Sequence, residues 1–145
     1  GIDIFAVVFG LAVTGVALFV RRGTAYRLNT IHQGPILTLT PTHLEFHPLL
    51  EAEPITIPWD RMPYLAGIDL VTVKRDATKK ARITTTGNPV PTTIDITCLD
   101  LTYEQLQRLI GCFACRPQYR GALATDGGVE LVRALLADNP AGWPR

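Results

Sequence analysis

Residues Ile4 to Val20 read IFAVVFGLAVTGVALFV, and Arg21 and Arg22 follow at once. The run carries no charge, and Thr14 is its one hydroxyl. A helix half-buried in a water-soluble domain would show polar residues every second or third position. An element that is apolar all round is how a helix looks when lipid surrounds it. At ~1.5 Å per residue the run spans roughly 25 Å, slightly short of the ~30 Å hydrocarbon layer, and Gly1 and Ile2 extend it. The expectation is therefore one transmembrane helix, with its basic flank, over residues 1–23. A signal peptide would need a basic leader and a small-residue cleavage site where Arg21-Arg22 stand; a buried helix of a soluble domain is the other alternative. A chain opening on Gly1 is expected to be incomplete or processed.

Orientation follows from the flanks. Arg21, Arg22 and Arg27 come just after the run and Asp3 just before it. Short basic flanks stay on the cytoplasmic side. The expected product is a single-pass protein of the plasma membrane, with its water-exposed domain in the cytoplasm. On a helix Ala6, Gly10 and Thr14 recur at i, i+4 and i+8, a stripe of small residues where another helix can approach closely.

The remaining ~120 residues are the size of one domain. Net charge is +1, so no global field attracts nucleic acid, and no nucleic-acid partner is expected. Cys112 and Cys115 form a CxxC late in an apolar helical segment, QRLIGCFACR. A redox pair would instead open a helix after a strand, and zinc would need two further ligands in pattern. These cysteines, with Cys98, read as small buried residues; a thiol or zinc role for 112 and 115 is the alternative.

Short alternating runs then follow one another: Ile36–Thr40 (ILTLT), His43–His47 (HLEFH), Pro54–Trp59 (PITIPW), Ile68–Lys74 (IDLVTVK), Arg82–Thr86 (RITTT) and Thr92–Thr97 (TTIDIT). Ala25–Ile31 adds a further candidate strand. Strands of this length with Pro, Gly and Asn between them predict an antiparallel sandwich or barrel. The period then changes. Leu101–Arg116 reads as a helix with Thr102 as its N-cap and Gln105 completing a capping box, and Pro117 ends it. Gly128–Asp138 reads as a second, short amphipathic helix with Asp126 as its cap.

This order resembles that of bacterial pleckstrin-homology-like domains. ILTLTPTHLEF is similar to their opening pair of strands, ITIPWDRMPYL to their isoleucine-proline-tryptophan-acidic segment, and LTYEQLQRLI to the helix that plugs the barrel. The likeness covers roughly residues 31–116. It implies a fold that is α+β and mainly β: after the membrane helix, a pleckstrin-homology-like sandwich over residues 24–118, capped by a helix, then an extension over 119–145 with one short extra helix. It also implies that Trp59 packs beneath the closing helix.

Candidate sites are few. His43 and His47 stand four apart on a strand, about 13 Å from each other, too far for one ion to bridge. With Glu45 they form the polar side of that strand. Lys74, Arg75, Lys79, Lys80 and Arg82 crowd a hairpin and are candidates for contact with anionic lipid headgroups. In eukaryotic relatives the lipid-binding basic loop lies between the first two strands, and here that region is nearly uncharged. Serine is absent from the chain, and there is no glycine-rich phosphate loop or paired acidic cluster. No catalytic residue, cofactor or metal is expected. The expected function is that of a non-enzymatic accessory or scaffold protein of a membrane assembly, whose partners are other membrane-protein subunits and membrane lipid. The alternative is a module that binds anionic lipid.

Overall fold

The alternating runs do form strands. The structure, a computed structural model, describes residues 2–9, 13–20, 37–47, 53–74, 76–96, 99 and 101–137. Its strands are β1 (Ile2–Phe9), β2 (Val13–Val20), β3 (Leu37–Leu39), β4 (His43–Phe46), β5 (Ile55–Pro58), β6 (Tyr64–Val73), β7 (Asp76–Thr85) and β8 (Asn88–Asp95). The helices are α1 (Tyr103–Cys115), α2 (Pro117–Arg120) and α3 (Gly127–Leu136), with 3-10 turns at Trp59–Arg61 and Gly121–Ala124. Strands β1 to β5 make one antiparallel sheet in chain order and β6 to β8 a second. The chain is thus α+β and mainly β.

Side-chain parity sets the inner faces. Leu37 lies opposite Phe46, Leu39 opposite Leu44, and Leu44 opposite Ile57, all buried. On the second sheet Leu65 lies opposite Ile83 and Ala81 opposite Ile94, again buried. A one-residue slip in either register would turn these rows toward water.

The expected transmembrane helix is not what forms. Its described residues lie within β1 and β2, paired antiparallel from Ile2 with Val20 to Phe9 with Val13. Among the described residues no helix is long and apolar enough to cross a membrane. The physical reason is that an all-apolar run suits a strand buried on both sides as well as a lipid-bathed helix. Valine, isoleucine and phenylalanine dominate this run, and they favour strands. The proposed packing stripe falls with the helix. Ala6 is on β1, Thr14 is on β2, and Gly10 lies outside the described residues. The basic flank and the candidate strand Ala25–Ile31 also lie outside them.

Helix α1 begins where the sequence places it. The Thr102 hydroxyl accepts from the Gln105 backbone N–H at 3.2 Å, and the Gln105 side chain accepts from Thr102 N–H at 2.9 Å. These two bonds satisfy donors that a helix start otherwise leaves orphaned. The apolar stripe of α1 closes the space between the sheets: Leu106 and Ile110 line, with Leu44, Ile83 and Ile94, an apolar cavity of about 10 Å³. That volume is no more than one water occupies, so this part of the core is closely packed.

The segment after α1 belongs to the same core. Leu123, Val132 and Leu135 are fully buried in one cluster with residues of both sheets. A Cβ added at Gly128 would stand 2.6 Å from the Ala122 carbonyl oxygen and 3.1 Å from a Val16 methyl, which shows how closely α3 approaches β2.

Two glycines test the strand assignment. A Cβ at Gly15 would lie 2.7 Å from the Leu39 carbonyl oxygen of the neighbouring strand, whereas one at Gly111 in α1 meets nothing within 4 Å. In urea unfolding, Gly15→Ala is expected to lose about 1–3 kcal/mol through overpacking. Gly111→Ala is expected to gain roughly 0.5–1 kcal/mol through helix propensity. A neutral Gly15→Ala would refute the pairing of β2 with β3.

Candidate functional site

The basic hairpin is strand almost to its end. Strand β6 starts four residues earlier than its alternation suggested and β7 six residues earlier, and Val73 pairs with Asp76 across a two-residue connection. Such a tight connection demands positive φ, and Lys74 supplies it at φ 58°. Strand β8 pairs with β7 from Thr85 down to Lys80. The Ile96 N–H still donates to the Lys79 carbonyl at 2.8 Å; past that point, among the described residues, β6 and β7 pair only with each other for three cross-strand pairs, Val71–Thr78 to Val73–Asp76. The hairpin therefore ends in a two-stranded overhang.

The structure does not gather the five predicted cations into one patch. Lys79 is half-buried and its Nζ donates to the Leu101 carbonyl at 2.7 Å, just before the N-cap of α1. Lys80 is on the opposite face, in register with Asp69 on one side and Asp95 on the other. Arg82 lies against Gly67, at a β-bulge where a Cβ would be 2.5 Å from its guanidinium, and its Nε is 2.8 Å from an Asp69 carboxylate oxygen. Lys74 is exposed at the hairpin's end, and Arg75 lies outside the described residues. Proximity in sequence suggested a cluster; strand parity sends alternate side chains to opposite faces.

On β4 the polar row forms as expected. Glu45 stands between His43 at 3.4 Å and His47 at 3.1 Å, one carboxylate oxygen toward each imidazole. Among the described residues no group of three His, Cys, Asp or Glu side chains is disposed to hold a metal.

Cys112 and Cys115 are both free thiols. Cys112 is buried in the core, and burial pushes its thiol up from 9.0 to about 11, partly offset by the Arg116 charge. That is the reverse of an activated nucleophile, whose thiolate is stabilised. Cys115 is exposed.

Two arginines do what no sequence motif announced. Arg120, 13% exposed, aims its guanidinium at the end of α1: Nε donates to the Phe113 carbonyl at 2.6 Å and Nη2 to that of Ala114 at 3.0 Å. The same group reaches Asp60 at 2.9 Å and the Trp59 carbonyl at 3.4 Å. Arg108 of α1 donates to the carbonyls of Leu135 at 2.8 Å and Ala137 at 2.8 Å, and Gln105 Nε2 to that of Leu136 at 2.8 Å. Each arginine thus satisfies carbonyls that a helix end leaves without partners. Arg120 follows α1 closely in sequence, and Arg108 is one turn beyond Gln105; those spacings were the available signals.

In comparisons with known proteins, no family model, no curated protein and no solved structure matches this chain.

The two thiols are expected to separate chemically. In a Cys98→Ala background at pH 8, an alkylating reagent should modify Cys115 quickly and Cys112 only on unfolding, as read by mass spectrometry. A group whose folded pKa is raised stabilises fully below its unfolded value and loses that contribution as pH climbs to the folded one. Relative to Cys112→Ala, the parent protein should therefore lose up to about 1.4 kcal/mol per pH unit between pH 9 and about 11. Equal pH profiles, or fast labelling of Cys112 in the native state, would contradict its burial.

Proposed function

We propose that this chain is a non-enzymatic binding module of pleckstrin-homology-like type, acting as an accessory or scaffold subunit that engages another protein. The two sequential antiparallel sheets and the capped helix that closes them support the pleckstrin-homology-like reading, as does Trp59. That side chain is fully buried, its ring centroid 5.7 Å from that of Phe113 on α1. The raised Cys112 thiol speaks against nucleophilic chemistry at that residue.

One observation carries the choice of a binding surface. Met62, Tyr64 and Val90 are large hydrophobics left exposed on the second sheet or the corner leading into it. Met62 holds positive φ at 51°, a conformation that costs on the order of 1–3 kcal/mol outside glycine. Tyrosine and methionine are enriched where proteins meet. The edge of this sheet at β8 carries Pro89 and Pro91, which remove backbone donors and disfavour strand addition there. The partner is therefore expected to cover side chains rather than extend the sheet.

Photo-crosslinking tests this reading. A benzophenone amino acid placed at Tyr64 or Val90, in the organism's own cells, should give a discrete adduct with one other protein. The same probe at Glu104 on α1 should not, and Met62→Asp should reduce the adduct without unfolding the domain. Identical adduct patterns at all three positions would overturn the assignment of the surface.

A further inference from the structure

We propose that the β6–β7 overhang is a wedge that docks the protein on an anionic bilayer. Leu70 and Val71 enter the boundary between headgroups and acyl chains, while Lys74 at its end lies among the phosphates. Leu70 is 75% exposed and Val71 40%, at the point where the ribbon leaves its third strand behind. A single exposed leucine is ordinary; one on a projecting two-stranded element with a basic end is not. Successive residues of a strand face opposite ways, so the two apolar side chains flank the ribbon on both sides. A ribbon inserted into a lipid interface is wetted on both sides alike, which suits that arrangement.

The size of the element decides between lipid and protein. Three residue pairs at ~3.4 Å make a ribbon roughly 10 Å long, which offers at most a few hundred Å² against the ~800 Å² per partner of a stable protein interface. Lipid contact has no such threshold: apolar insertion and each basic group add to the attraction. The charge that serves it is smaller than the sequence suggested. Lys79 is held by the Leu101 carbonyl, Arg82 lies against Asp69, and Lys80 stands in register between Asp69 and Asp95. Leu70 should therefore matter more than the lysines, and salt should weaken docking only in part. The inference is separate from the protein partner proposed above, which Tyr64 and Val90 report.

The test uses the full chain with its three cysteines replaced by alanine and Thr72→Cys carrying an environment-sensitive fluorophore. Vesicles of equal parts phosphatidylglycerol and phosphatidylcholine should shift its emission to the blue at 0.05 M salt; vesicles of phosphatidylcholine alone should shift it much less. Leu70→Asp should weaken partitioning about tenfold or more, since insertion of a leucine side chain is lost. Lys74→Glu should weaken it severalfold, and Arg82→Ala should leave it unchanged. The same fluorophore at Glu104→Cys should report no shift. The proposal fails if the wild-type arm ignores anionic vesicles at low salt, or if Leu70→Asp partitions as well as the parent. It fails equally if the shift appears without vesicles as protein concentration rises, which would mark contact between copies instead.

Discussion

The far end of α1 is the point on which the fold turns. An α-helix leaves its last carbonyls without partners, and here that end packs over the turn that carries Trp59. Trp59 fills the space beneath it, fully buried, with its indole N–H on the Thr40 carbonyl at 2.7 Å. Arg120 then joins the helix end to the turn that carries Trp59 and Asp60. Five donors in a fixed fork let one side chain serve several acceptors, which a lysine there would not do. The exposed Asp60 adds little to this by itself; the buried carbonyls are what make the arginine necessary.

The same logic runs in the other direction along α1. Arg108 and Gln105 project from it to the carbonyls at the end of α3, and Gln105 also completes the cap at the start of α1. Through these bonds the closing helix orders the segment that follows it. That segment covers the β1–β2 hairpin, with Gly128 permitting the close approach to Val16. The first and last described stretches of the chain are thereby parts of one core.

The second sheet plays a different part. Its inner face belongs to the core, while its overhang and its corner at Met62 carry the exposed apolar side chains. Short ribbons with few neighbours have little packing to protect them, and recognition elements are commonly of this kind. Satisfying Lys79 and Arg82 internally fixes the hairpin to α1 and across its own bulge, so the overhang projects from a firm base.

Local patterning by itself determined the β-rich middle of the chain, the start of α1 at Thr102, its stop before Pro117 and the short helix near residue 128. These depend on side-chain period, a capping pair and proline, all of which act within a few residues. The parity of HLEFH likewise placed His43, Glu45 and His47 together on one polar face. Tertiary structure decided what local pattern leaves degenerate. An apolar run such as Ile4–Val20 is compatible with a helix in lipid or with strands buried from both sides, and the structure pairs it as β1 and β2. The basic run from Lys74 to Arg82 became two faces with different partners, because register and the extent of β8 are properties of the sheet. Arg108 and Arg120 had no legible motif: the acceptors of Arg108 lie 27 or more residues away, and Arg120 joins the nearby end of α1 to Asp60 and Trp59, 60 or more residues away.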